Sequence, residues 1–158
     1  MPLADAPFYH YVIMAVGWPS IALYFLVLLS IVKARKYQPV FASHFYTMIL
    51  AQSAPCIALF LYLELILRPR RYGFYRMFDP QLNSRLAQFV YFGHQYLRAV
   101  VIFSFVPFAV NRFIAVSKPE KYAQLWTIRV TILSISTYWL ASVVIVAPTL
   151  FMPFANFS

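Results

Sequence analysis

The residue of this sequence with the most chemistry to offer is an arginine at the edge of a long apolar run. In the stretch AVNRFIAVSKPEKYAQLW, residues 109–126, Arg112 follows Asn111, precedes Phe113, and is succeeded by a short basic loop with one proline. A guanidinium in that place has two uses. It can stop a membrane helix at the headgroup layer, where its charge stays hydrated, or it can act as half of a signalling switch.

Three more ionisable side chains, Glu64, His94 and Arg98, fall inside apolar runs. Charged groups at membrane depth face a bundle interior and find partners there. His94 and Arg98 stand at i and i+4, so they share one helix face. If the second run points outward and the third inward, a Glu64 contact with His94 or Arg98 lies within reach. With Tyr91 and Gln95 these residues form a candidate outward-facing polar pocket, and a purely structural interhelical pair explains them equally well.

The same inventory argues against catalysis. Three isolated histidines (His10, His44, His94) lack metal-ligand spacing, four scattered acids make no dyad, and neither a glycine-rich phosphate loop nor a nucleophile elbow is present. No catalytic, cofactor-binding or metal-binding residue is assigned, and the chain reads as a non-enzyme.

The elements that must position these groups follow from composition. Of 158 residues, 63% are apolar and 11% charged, too little polar surface to cover a soluble globule. Thirteen Lys and Arg against four acids give a charge of +9. Because the cations cluster between apolar runs, lipid headgroups and topology account for them, and nucleic acid is not expected as a partner. The lone Cys56 excludes an intramolecular disulfide.

Four continuous runs predict four membrane helices: Val12 to Val32, Phe41 to Leu67, Leu86 to Val110 with its helix continuing to about residue 116, and Val130 to Phe154. The first has no charge over 21 residues, enough at 1.5 Å each to cross about 30 Å of hydrocarbon. With no cation before it and a length beyond that of a signal core, it is expected to stay in the mature protein. The runs lack the short alternation of a membrane β-barrel. The expected fold is an all-α, four-helix membrane bundle forming one domain over residues 1–158.

Orientation follows from the loops. The amino-terminal flank has no Lys or Arg; the first loop has Lys33, Arg35 and Lys36, the second five arginines, and the third Arg112, Lys118, Lys121 and Arg129. An outside amino terminus puts seven cations inside and five outside, and the first helix favours it most clearly. The terminal Asn156-Phe157-Ser158 triplet, a potential glycosylation acceptor, then lies outside. Pro19, Pro55, Pro107 and Pro148 each fall inside a run, as simple kinks or as hinges around a cavity. Tyr9, Tyr11, Tyr72, Tyr75, Tyr122 and Trp126 are placed for an interfacial aromatic belt, while Trp139 sits mid-span, for packing or for lining a cavity.

Three pieces carry a family resemblance: GWPS at Gly17 to Ser20, the triplet Asn111 to Phe113 after a third span, and SKPEKYAQLW leading into the fourth. Together they resemble nematode serpentine chemoreceptors of the Srg superfamily, in its class V and class gamma groups, over spans one to four of a rhodopsin-like seven-helix receptor. The resemblance implies a receptor in the plasma membrane of sensory cells that binds a small external ligand and couples to a heterotrimeric G protein, with receptor oligomers as a further association. It also implies that Arg112, flanked by Asn111 and Phe113, contacts neighbouring helices when inactive and the G protein when active.

There are departures from that pattern. Asn111 stands where the commoner triplet has an acid, so any ionic restraint on Arg112 must come from elsewhere. The usual extracellular disulfide is impossible, and spans five to seven are missing. The expectation is therefore a truncated four-span receptor product, which couples to a G protein only with the missing spans present. The alternatives are a non-signalling four-helix scaffold or dominant partner of a full receptor, and a small membrane transporter or lipid enzyme.

Overall fold

The structure, a computed structural model, describes residues 8–38, 40, 43–71 and 84–151. Phe41, Tyr72, Tyr75, Arg76, Phe154 and Asn156 lie outside the described residues, as do the side chains of Tyr9 and His10. Among the described residues the regular structure is all helical, and four helices are long and apolar enough to cross a membrane. This is the all-α membrane bundle expected from the apolar runs.

The first membrane helix, Phe8–Ala34, contains Pro19, whose missing N–H leaves a carbonyl of the preceding turn unpaired. Beside that break Ser20 Oγ donates to the Val16 carbonyl at 2.7 Å. This helix meets the second where Gly17 admits the Phe60 ring and Trp18 meets it edge-on, with centroids 5.5 Å apart. Most of its large apolar side chains are exposed. In lipid such exposure is no penalty, because acyl chains are as apolar as leucine.

The second helix, His44–Tyr62, passes into a π-helical turn at Leu63–Leu67 and ends in Arg68–Arg71. A π turn inserts one residue into the helical register and changes the facing of everything beyond it. The third helix, Ser84–Ser117, has 34 residues and is about 50 Å long, well over the hydrocarbon thickness. It therefore carries Arg112 beyond the apolar layer on the same continuous rod.

A short loop helix, Pro119–Leu125, follows, with proline in its first turn, where the missing donor is harmless. The fourth membrane helix, Ile128–Val146, starts from Thr127, whose hydroxyl accepts from the Val130 N–H at 3.4 Å. Pro148 is not inside this helix as expected. It sits in a closing 3₁₀ turn, Ala147–Leu150, because proline cannot supply the next helical donor.

The second, third and fourth helices pack most closely, with the third between its two neighbours. Their contact is built from small groups: Ser53, Ser104, Thr131 and Ser142 are all buried, as are Ala87, Val90 and Val100. Each hydroxyl bonds a carbonyl of its own helix, Ser104 to Val101 and Ser142 to Tyr138 at 2.7 Å. That leaves smooth, satisfied faces on which backbones can approach. Near the start of the third helix Gln88 donates to the carbonyls of Thr149 and Leu150, tying that helix to the turn that closes the fourth. Trp139 is a packing residue, its ring 6.0 Å from that of Tyr96 on the third helix.

Candidate functional site

Near the end of the third helix, Asn111 and Arg112 have different partners. Asn111 is 1% exposed and donates from Nδ2 to the Tyr122 hydroxyl at 2.9 Å. Tyr122 reaches it because the chain reverses at Lys118, whose N–H closes on the Ile114 carbonyl, and the loop helix then folds back beneath the third helix. Glu120, in the first turn of that helix, complements its partial positive charge. Trp126 ends the loop helix, its N–H bonded to the Tyr122 carbonyl at 2.8 Å, and is only 3% exposed. The interfacial belt expected of Tyr122 and Trp126 is thus corrected: the first is bonded to Asn111, and the second is packed inside the protein.

Arg112 is exposed to solvent on one side and lies over aromatic rings on the other. Its guanidinium carbon stands 4.3 Å from the centroid of Phe45, on the second helix, and 5.8 Å from that of Phe108, one turn earlier on its own helix. The two rings are themselves 5.4 Å apart. Phe45 lies in the first turn of its helix, and in that same turn the Thr47 hydroxyl accepts from Arg35 of the first loop at 3.0 Å. Phe113 and Val116 project outward at 70% and 82% exposure. The result is one cation on an aromatic shelf, beside a bonded amide and two free apolar side chains.

The outer candidate pocket is divided. Glu64 is buried, and its carboxylate closes on Arg68 of the same helix, Oε2 to Nη1 2.6 Å, rather than on His94 or Arg98. The sequence reading placed Arg68 in the following loop, whereas the helix continues through it. Tyr91 and Gln95 do meet: Gln95 Nε2 donates to the Tyr91 hydroxyl at 2.8 Å. His94 is half-buried, and Arg98 points outward, exposed.

Above them, Tyr62 crosses to the third helix and donates to the Val90 carbonyl at 2.8 Å, over Gly93. A Cβ at Gly93 would stand 2.8 Å from that hydroxyl oxygen, so only glycine fits. An apolar groove of about 480 Å³ runs between the third and fourth helices, lined by residues such as Pro107, Val110, Trp126, Val130 and Tyr138. None of the five outer candidate residues lines it.

Sequence reasoning missed Phe45, Tyr122 and Arg68 as partners. For Arg68 the i, i+4 spacing from Glu64 was an available signal. For the other two there was none, because their contacts depend on how the helices and the loop fold together. Among the described residues no three His, Cys, Asp or Glu side chains stand close enough to hold a metal ion.

Fold and site together define a multi-pass helical membrane protein whose third helix delivers an arginine to one face of the bilayer. The sequence model of the serpentine type 7TM GPCR chemoreceptors Srv matches residues 11–158, and the chain belongs to that family. It is a family of receptors, not of enzymes. No curated protein and no solved structure matches the chain.

Proposed function

We propose that this chain supplies spans one to four of a receptor that senses a small external chemical and, with spans five to seven present, signals through a heterotrimeric G protein, with Asn111, Arg112 and Phe113 as the coupling face. The observation that carries the reading is the state of Arg112. It is accessible, held over rings without an acid, and flanked by outward-facing Phe113 and Val116. A cation bordered by apolar side chains suits a partner helix that presents carbonyls or carboxylates beside leucines.

The amino terminus is assigned to the outside. Lys33, Arg35, Lys36, Arg112, Lys118, Lys121 and Arg129 gather at one end of the bundle, with Glu120 the acid beside them, and cytoplasmic loops are enriched in such cations. At the opposite end the charge of Arg68 is offset by Glu64. Tyr91, His94, Gln95 and Arg98, with Glu64 behind them, are assigned to the ligand-facing side, and Asn156 to glycosylation there. Of the two classes named by the resemblance, class V of the Srg superfamily accords with the Srv match.

The test is nucleotide exchange on a purified heterotrimeric G protein by the chain joined to spans five to seven of a serpentine receptor of the same family, in nanodiscs. Wild type is expected to accelerate exchange and Arg112→Ala to reduce that acceleration at least tenfold with unchanged helicity. Equal rates for the two proteins, or no acceleration by either, would refute the reading.

A further inference from the structure

We infer that Phe45 is the positioning residue that restrains Arg112, the face of its ring taking the place of the carboxylate that Asn111 does not provide. The inference rests on Arg112 as the coupling residue. Among the described residues the acid that forms an ion pair is Glu64, at the opposite end of the bundle, so no carboxylate holds Arg112.

What it has instead is the negative face of a π system. Guanidinium over a phenyl ring within about 6 Å is attracted by the ring quadrupole, and the planar cation stacks well. Phe45 at 4.3 Å is inside that range, and Phe108 at 5.8 Å is at its edge, so Phe45 dominates. Phe45 also belongs to another helix. Its contact therefore reports the packing of the second helix against the third, which Phe108, on the helix of Arg112 itself, cannot do.

Arg35, bonded to Thr47, ties the first loop to the opening turn of the second helix, the turn that carries Phe45. For Arg112 to engage a partner's oxygen atoms, the stacked arrangement must open. At an exposed site this contact biases the guanidinium toward the ring by about two- to five-fold.

The test uses the whole 158-residue chain in lipid nanodiscs. Phenylglyoxal adds to neutral guanidine nitrogens, and adducts at each arginine are followed by peptide mass spectrometry. Stacking covers one face of the guanidinium and holds it against the ring, so Phe45→Leu is expected to raise the rate at Arg112 about two- to five-fold relative to Arg129 in the same molecule. Phe45→Trp, which restores a ring face, is expected to return it to the wild-type rate or below.

An unchanged relative rate in Phe45→Leu overturns the proposal. So does equal acceleration by Leu and Trp, which marks a packing effect, or acceleration at Arg129 to the same degree, which marks general loosening. If Phe45→Leu does not fold, Phe45→Met carries the same expectations. No G protein is present in this assay, so its outcome stands apart from the coupling test of Arg112→Ala.

Discussion

The Asn111 amide donates to the Tyr122 hydroxyl at 2.9 Å, which ties the third helix to the loop that follows it. Asn111 is buried, so removing the acceptor strands a donor away from water. Tyr122→Phe is expected to destabilise the bundle by about 1–3 kcal/mol. In a double-mutant cycle, Asn111→Ala combined with Tyr122→Phe should be less damaging than the sum of the two. Thermal unfolding in nanodiscs checks this, and additive losses would mean that the bond contributes nothing.

Gly93 faces the Tyr62 hydroxyl with no room for a methyl group. Gly93→Ala must push the ring aside and break its bond to the Val90 carbonyl, a loss of about 1–3 kcal/mol. In a Tyr62→Ala background the obstruction is gone, so the same substitution should become nearly neutral. Unfolding midpoints of the four proteins test the pair, and a Gly93→Ala effect that persists without Tyr62 would point to another cause.

Glu64 and Arg68 are a low-exposure ion pair, their side chains 4% and 15% accessible. Breaking such a pair leaves one charge uncompensated, whereas removing both members does not. Glu64→Gln is expected to cost about 3 kcal/mol, and Glu64→Leu with Arg68→Leu considerably less. The result that contradicts this is a double variant less stable than Glu64→Gln in the same unfolding assay.

Thr127 caps the fourth helix with a long hydrogen bond, 3.4 Å to the Val130 N–H. Thr127→Ala should lower stability by about 0.5–1 kcal/mol, toward the small end for a cap, and Thr127→Ser should be close to neutral. Equal losses for Ala and Ser would assign the effect to the threonine methyl.

Much of the architecture is legible in the chain because partition into lipid is local and nearly additive. An apolar run of about twenty residues with at most one charge is a membrane helix whatever lies beside it, so the positions of the four helices, and of Arg112 at the end of the third, follow from the residues alone. Pro148 shows how far such reading extends. Its helix-breaking chemistry was visible, but not whether it would kink a helix or end one; in the bundle the chain closes there in a 3₁₀ turn, and Gln88 of another helix donates to the Thr149 and Leu150 carbonyls.

Partners are a different kind of information, because they depend on the rotation and register of whole helices. Glu64 had His94 and Arg98 in prospect, and the continued helix joined it instead to Arg68 on its own backbone, which required no alignment between helices. For Arg112 the sequence by itself determined that a cation without an adjacent acid would lie at the membrane boundary. Only the tertiary structure decided that Phe45, sixty-seven positions earlier, would be the ring beneath it. The physical reason is that hydrophobic burial in lipid is read residue by residue, whereas a stacking or hydrogen-bonding partner is specified only once small buried side chains have set how closely, and at what angle, the helices approach.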